Sequence, residues 1–280
     1  MTSQKRVVFA GLARDCAHAL PSILNSIEDL SADLDDWGYV FFENNSVDNT
    51  AKQLERFHQK HDRGTVQSFD NLDAKINSRT ERLALLRNKC VETALSSQRL
   101  GQFDYLIKLD LDAVNERLDK VRILELMELE EPAWTAVFAN QSERYYDIWA
   151  LRHPTWSPDD CWKRVRERPE DMSKEEAIDE FVVKRREKLD PERGFIEVQS
   201  AFGGFGIYRL QALRDCRYVG VDEDGHEVCE HVAFHESLRN NGGQLFIDAS
   251  LINGRGNHRH NAGMSFATKL KRKIRKLRAS

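Results

Sequence analysis

The sequence predicts an α/β fold, a Rossmann-like and mainly parallel sheet with helices on both faces. Short apolar runs alternate with amphipathic helical patterns through the first half of the chain, the order that parallel strands and crossover helices produce. Polar clusters follow these runs directly, where ligands meet the carboxyl ends of strands in such sheets. The length of 280 residues, with 40% hydrophobic and 31% charged composition, suits one large soluble domain.

The elements follow in order. RVVFAGLA (6–13) is a first strand, too short for a secretory signal and closed by Arg14 and Asp15. Residues 17–31 predict a helix with Pro21 near its start, where a missing N–H is tolerated. YVFFE (39–43) is a second strand, followed by a helix around 49–60, and TVQSF (65–69) a short third. A long helix spans 79–97; YLIKLDLD (105–112) and TAVFAN (135–140) are strands four and five. Residues 153–194 are rich in charge and proline, with one clear helix opening at the capping box Ser173-x-x-Glu176. EVQSAFGGFGIYRL (197–210) returns to strand composition around a glycine-rich centre. Residues 228–242 predict a helix ending at Gly242, and 244–252 a last strand. No repeat or low-complexity linker divides the chain. One domain over 1–263 is expected, with halves at 1–140 and 141–263, and a basic tail at 264–280.

Composition excludes several classes. No run approaches the roughly 18–20 apolar residues that span a bilayer. The five cysteines are scattered and never form C-x-x-C, which argues against a disulfide framework and a zinc knuckle and suits a reducing, cytoplasmic setting. The net charge of −4 hides an asymmetry, because seven Lys/Arg and no acid fill 269–278. An acidic body with a basic tail is not the pattern of a general nucleic-acid binder. Phe266, Leu270, Ile274 and Leu277 recur at helical spacing among those charges, which suits an anionic membrane surface; a solubilising tail has the same composition.

The segment richest in chemistry is Asp110-Leu111-Asp112. Two carboxylates spaced by two share one side of a strand and repel unless a cation compensates. Mg²⁺ or Mn²⁺ accepts such oxygens together with a diphosphate. A carboxylate pair capping a loop is the plain alternative. Glu43, after strand two, suits a bond to a ribose or base, while Ser46 or Asp48 serves mainly to cap the next helix. In the long helix, Leu83, Leu86, Cys90 and Ala94 form an apolar stripe. Arg87 borders it, placed to reach a diphosphate or to orient the Asp110 and Asp112 carboxylates. Arg79 and Arg82, near the helix start, are placed for phosphate oxygens, with an ordinary surface role the alternative. Tyr145-Tyr146-Asp147-Ile148-Trp149 mixes aromatics with an acid, as sugar-stacking sites do and as core aromatics do. Gly203-Gly204 admits close approach of an acceptor or marks a bulge. Glu230 is the first candidate to deprotonate an acceptor hydroxyl, with Asp147 next. His231 and His235 stand four apart, but E-H-x-x-x-H-E is not a zincin motif. Residues 254–261 are a polar loop in which His258 or His260 is placed to complete a metal shell.

Together YVFFENNSVDNT, SRTERLALLRNKC, YLIKLDLDA, YYDIWALR, SAFGGFGIYR and CEHVAFHESLR resemble, in order, glycosyltransferase-A enzymes. The order is most similar to the capsule-associated mannosyltransferase family, and more distantly to family-2 glycosyltransferases, over roughly residues 5–255. The resemblance implies a nucleotide-sugar donor in 1–140, a glycan or lipid-linked acceptor in 141–263, and a divalent metal, Mn²⁺ or Mg²⁺, at the D-x-D. By position it implies that Gly11, Arg14, Glu43 and Asp48 line the nucleotide, and that Arg82 and Arg87 face the donor. Asp110 and Asp112 would serve sugar, ribose and metal. Tyr146, Trp149, Gly203 and Gly204 remain the acceptor candidates, and His258 the further metal ligand. The tail 256–280 matches no segment of that family, and the 153–194 insertion is too divergent to carry any role over. Two other readings compete. One is a haloacid-dehalogenase-type phosphatase with Asp110 as nucleophile and Asp112 as acid/base. The other is a carbohydrate- or nucleotide-binding module without catalysis.

Overall fold

The computed structural model describes residues 4–115 and 117–254. In chain order the elements are β1 (Arg6–Ala13), α1 (Leu20–Ser31), β2 (Asp36–Asn44), α2 (Thr50–His61), β3 (Gly64–Phe69), α3 (Leu72–Lys75), α4 (Arg79–Ser96), β4 (Tyr105–Asp110), α5 (Lys120–Glu128), β5 (Ala136–Gln141), α6 (Cys161–Arg166), α7 (Lys174–Ile178), β6 (Phe195–Glu197), β7 (Phe205–Arg209), α8 (Glu230–Asn240) and β8 (Leu245–Gly254). The strands form one sheet in the order β3-β2-β1-β4-β7-β5-β8-β6. Strands β1 to β4 are mutually parallel, and β5 is parallel to β8. β7 runs antiparallel between β4 and β5, and β6 antiparallel to β8.

Alternation along β1 explains the two layers. Val8 and Ala10 pack with Leu106, Leu86 and Cys90 beneath α4 and α8, while Val7 and Phe9 pack with Ile23, Leu54 and Ile123 beneath α1, α2 and α5. Both faces are covered, so β1 carries no polar side chain from Val7 onward, as strands of parallel sheets do. Each Val, Leu, Ile or Phe among them contributes roughly 1.5–3 kcal/mol of burial. All five cysteines are buried and unpaired. No helix among the described residues is long and apolar enough to cross a membrane.

The structure differs from the sequence expectation in five places. The first helix begins at Leu20 rather than at residue 17, because the Cys16 carbonyl accepts both Ala19 and Leu20 N–H in a turn and Pro21 opens the helix. Strand four ends at Asp110: its N–H donates to the Gly204 carbonyl (2.9 Å), and the chain then bends, so Asp112 lies outside the strand. Within 197–210 only Phe205–Arg209 is a full strand, β7: β6 ends at Glu197, and Gly203 (φ 63°) and Gly204 (φ 86°) adopt left-handed conformations just before β7 begins. The insertion holds a second helix, α6, whose Asp160 accepts from Trp162 and Lys163 N–H, in addition to α7 with its Ser173–Glu176 capping box. In α4 Arg87 is buried, whereas Leu83 is only partly so; the stripe is rotated toward the charge because α8 supplies partners for it.

Candidate functional site

The carboxyl ends of β1, β2, β4, β5 and β8 and the entry to β7 share one edge of the sheet, and the polar clusters converge there. At the centre is Arg87. Its Nη2 donates to Asp110 Oδ1 (3.3 Å), and its Nε lies 3.1 Å from Glu230 Oε1, an ion pair angled off the hydrogen-bond line. Its Nη1 meets His231 Nε2, and its guanidinium lies 5.0 Å over the Phe202 ring. Burial opposes its charge, yet Glu230 and Asp110 hold it above the usual arginine range. Helix α4 thus bridges the end of β4 to the start of α8. Of the sequence candidates, Asp110, Arg87 and Glu230 are in direct contact.

The His231 imidazole stacks on Phe202 at 4.0 Å and 24°. Burial, then Arg87, pushes its pKa well below the usual value, so the ring is neutral. Because Nε2 faces an arginine N–H, the proton belongs on Nδ1. His235, one turn on, is buried between Ser200 Oγ and Tyr208 OH, each 2.9 Å from a ring nitrogen, and burial pushes it down to about 3. The pair serves packing and hydrogen bonding, not a zinc site.

Asp147 faces the same turn. It accepts Gly203 N–H at Oδ2 (3.1 Å) and Ala150 N–H at Oδ1 (3.4 Å). Burial raises its pKa above the ordinary carboxylate value, with the Gly203 N–H opposing. The turn leaves no room for side chains: a Cβ on Gly204 would stand 2.5 Å from Val114 Cγ1, and one on Gly203 2.7 Å from Gln141 Nε2. A carboxamide network holds it in place. Asn115 donates to the Asp110 and Gly204 carbonyls (2.8 and 3.0 Å), and Asn253 donates to Asn115 Oδ1 and to the Gly203 carbonyl (each 2.9 Å). Gln141 reaches Asn253 Oδ1 (3.2 Å). Asp112, half-buried, accepts Val114 N–H (3.1 Å), the plain loop-capping bond, at the mouth of this turn.

The remaining candidates spread along the edge. Glu43 accepts Ser46 N–H, while Asp48 takes Thr50 N–H (2.9 Å) and Ala17 N–H (3.2 Å), so the β2–α2 turn is self-capped by both acids. Arg14 pairs with Asp73 at 3.2 Å, and Arg82 donates to the Ile76 and Asn77 carbonyls ahead of α4. Gly11 is buried, and a Cβ there would meet Leu111 Cγ at 2.7 Å; it lets Leu111 cover β1. Tyr146 donates its N–H to Gln141 Oε1 (3.3 Å), and its hydroxyl stands 3.3 Å from where a Gly204 Cβ would be. Trp149 donates its indole N–H to Asp160 (3.1 Å). His258, His260 and the 264–280 tail lie outside the described residues.

Sequence reasoning missed Lys108, Asn115, Gln141, Asn253 and Phe202. Their signals are faint: a lysine inside an apolar strand, and single carboxamides where apolar runs stop. Asp222, Asp224 and His226 bring three ligand-type atoms within 4.8 Å of one another in the loop before α8, but Asp222 mainly accepts the Asp224 and His226 N–H bonds of its own turn.

No family model matches the sequence, and no curated protein does. Among solved structures, S. aureus TarS 1-349 in complex with UDP-GlcNAc is similar at 12% identity and a TM-score of 0.52, over 92% of this chain and 60% of that one. Looser likenesses are to the Pyrobaculum calidifontis mannosyltransferase PcManGT in complex with GDP-Man and Mn²⁺ (13%, TM-score 0.49, 89% and 58%) and to the M. tuberculosis glucosyl-3-phosphoglycerate synthase (13%, TM-score 0.44, 96% and 80%). The chain therefore spans about 60% of the length of TarS 1-349. With the TarS match, the chain has the glycosyltransferase-A fold.

Proposed function

We propose that the chain transfers a hexosyl group, with mannosyl the first choice, from a nucleotide-sugar donor to a hydroxyl of a glycan or lipid-linked acceptor, with a divalent metal as cofactor. One observation carries this reading: the convergence of Asp110, Asp112, Asp147 and Glu230, with Arg87 among them, on the Gly203–Gly204 turn at the carboxyl edge of a glycosyltransferase-A sheet. The donor set fits a metal, because Asp110 and Asp112 are half-buried carboxylates at the edge and a diphosphate supplies further oxygens. Asp112 would be the main protein ligand, since Arg87 already occupies Asp110 Oδ1; His258 remains a candidate for the shell. A bound Mn²⁺ or Mg²⁺ would supply charge stabilisation to the leaving diphosphate.

The residues divide the rest. Asp147, with raised proton affinity and no ion pair among the described residues, suits the base that takes the acceptor proton in an inverting transfer. Glu230 suits a holding role, because it is committed to Arg87. Tyr146 and Trp149 border Asp147 and suit an acceptor sugar. Gly11, Arg14, Glu43, Asp48 and Arg82 are the donor candidates, of which the two arginines suit phosphate contacts. TarS 1-349 holds UDP-GlcNAc on the same fold, which supports the donor class. The phosphatase reading is weaker, because Arg87 already holds one oxygen of the Asp110 carboxylate that would attack. A cytoplasmic enzyme, peripheral on the membrane through 264–280, would meet a lipid-linked acceptor and serve polysaccharide assembly. The test is a thermal-shift screen of UDP, GDP and their sugars with and without Mn²⁺, followed by turnover and product-anomer analysis. No shift with any of them, or phosphate release from phosphomonoesters instead, would reject it.

A further inference from the structure

Lys108 stands in the middle of β4, two residues from Asp110, on the face that α4 and α8 cover, since it pairs with Ala10 and follows Leu106 by two. It is 2% exposed, and its Nζ has no hydrogen-bond partner among the described residues. The Tyr218 ring lies 5.0 Å from the ammonium. Burial pushes its pKa down to about 8, Arg87 adds to that, and the carboxylates of Asp110 and Glu230 oppose it. A buried, unpaired ammonium strongly disfavours the folded state, and an apolar side chain of equal length would pack there at no such cost.

Charge counting suggests why a lysine occupies the place. Arg87 faces two carboxylates, Asp110 and Glu230, with a single positive charge. We propose that Lys108 is a positioning residue: its ammonium, buried behind Arg87, balances the second carboxylate and keeps the guanidinium seated between Glu230 and Asp110. This rests on the glycosyltransferase reading, because the seat of Asp110 matters only if the donor binds there. Lys108 touches neither donor nor acceptor; it acts through Arg87.

The experiment uses the full chain with Lys108→Met and Lys108→Gln, reading Tm, the Kd of UDP and GDP with Mn²⁺, and donor KM and kcat. The expected result is a Tm at or above the wild type, a donor Kd and KM raised roughly tenfold, the size of one lost charge interaction, and kcat within about threefold. The double variant Lys108→Met/Glu230→Gln, which removes one charge of each sign, is expected to bind donor no worse than the weaker single variant. Wild-type donor affinity in both single variants overturns the proposal. So does an affinity loss that only tracks a fall in Tm, which would mark the amine as structural. A wild-type protein that binds no nucleoside diphosphate rejects the glycosyltransferase reading itself, whereas equal binding by wild type and variants rejects only the role of Lys108.

Discussion

Glu230→Gln and Asp147→Asn, made side by side, separate holding from chemistry. Glu230 and Arg87 are 4% and 5% exposed, and Glu230 Oε1 is 3.1 Å from Arg87 Nε. Gln keeps the shape and an oxygen but removes the charge. Losing the charged partner at such a buried site costs about 2 kcal/mol, or roughly 4–8 °C in Tm for a domain of this size. Arg87 also holds Asp110, so donor affinity should fall together with stability. Asp147 accepts two backbone N–H groups, and Asn retains an acceptor for one of them, so the fold and donor affinity should be nearly preserved. If Asp147 takes the acceptor proton, kcat falls about 10²–10⁴-fold, equal to roughly 3–5 kcal/mol of transition-state stabilisation. Scanning fluorimetry, calorimetric titration with UDP or GDP and Mn²⁺, and initial rates of nucleoside diphosphate release measure the three quantities. A Glu230→Gln protein with wild-type Tm and donor Kd but a hundredfold lower kcat, beside a fully active Asp147→Asn, would refute this division and make Glu230 the base.

Asp112→Ala is expected to abolish turnover while leaving Tm within a few degrees, because only its bond to Val114 N–H is lost; wild-type rates in that variant, or full activity in excess chelator, would count against a metal at this turn. Acid should destabilise the protein through its buried histidines. The unfolded chain protonates His235 near its ordinary pKa of 6.5, whereas the folded chain refuses the proton until about 3, so stability falls as pH drops through that window, by about 2 kcal/mol at pH 5. His231 acts in the same direction; a Tm that stays level between about pH 7 and pH 5 would contradict this. The basic tail is expected to drive salt-sensitive sedimentation with anionic vesicles, lost on truncation after Gly263, and equal partitioning of both forms would remove the membrane role.

Much of the fold was legible along the chain. β1 carries no polar side chain from Val7 to Ala13 because both of its faces are covered, and the Ser173 and Glu176 pattern marks α7 because a cap is a local bond. The D-x-D segment was visible for the same reason, as two acids closing an apolar strand. Its geometry was not. Alternation places Asp110 and Asp112 side by side only if the strand continues, and the strand stops where the Gly204 carbonyl, more than ninety residues later in sequence, takes the Asp110 N–H. β7 joins the sheet antiparallel between β4 and β5, and no local pattern encodes such partners. Arg87 looked like a border residue from helical spacing alone. It is buried because α8, more than 140 residues away, brings Glu230 and His231 against it. Sequence periodicity states which face of an element avoids water. Whether a charge on that face finds a counter-charge depends on contacts between distant segments, and in this protein those contacts build the site.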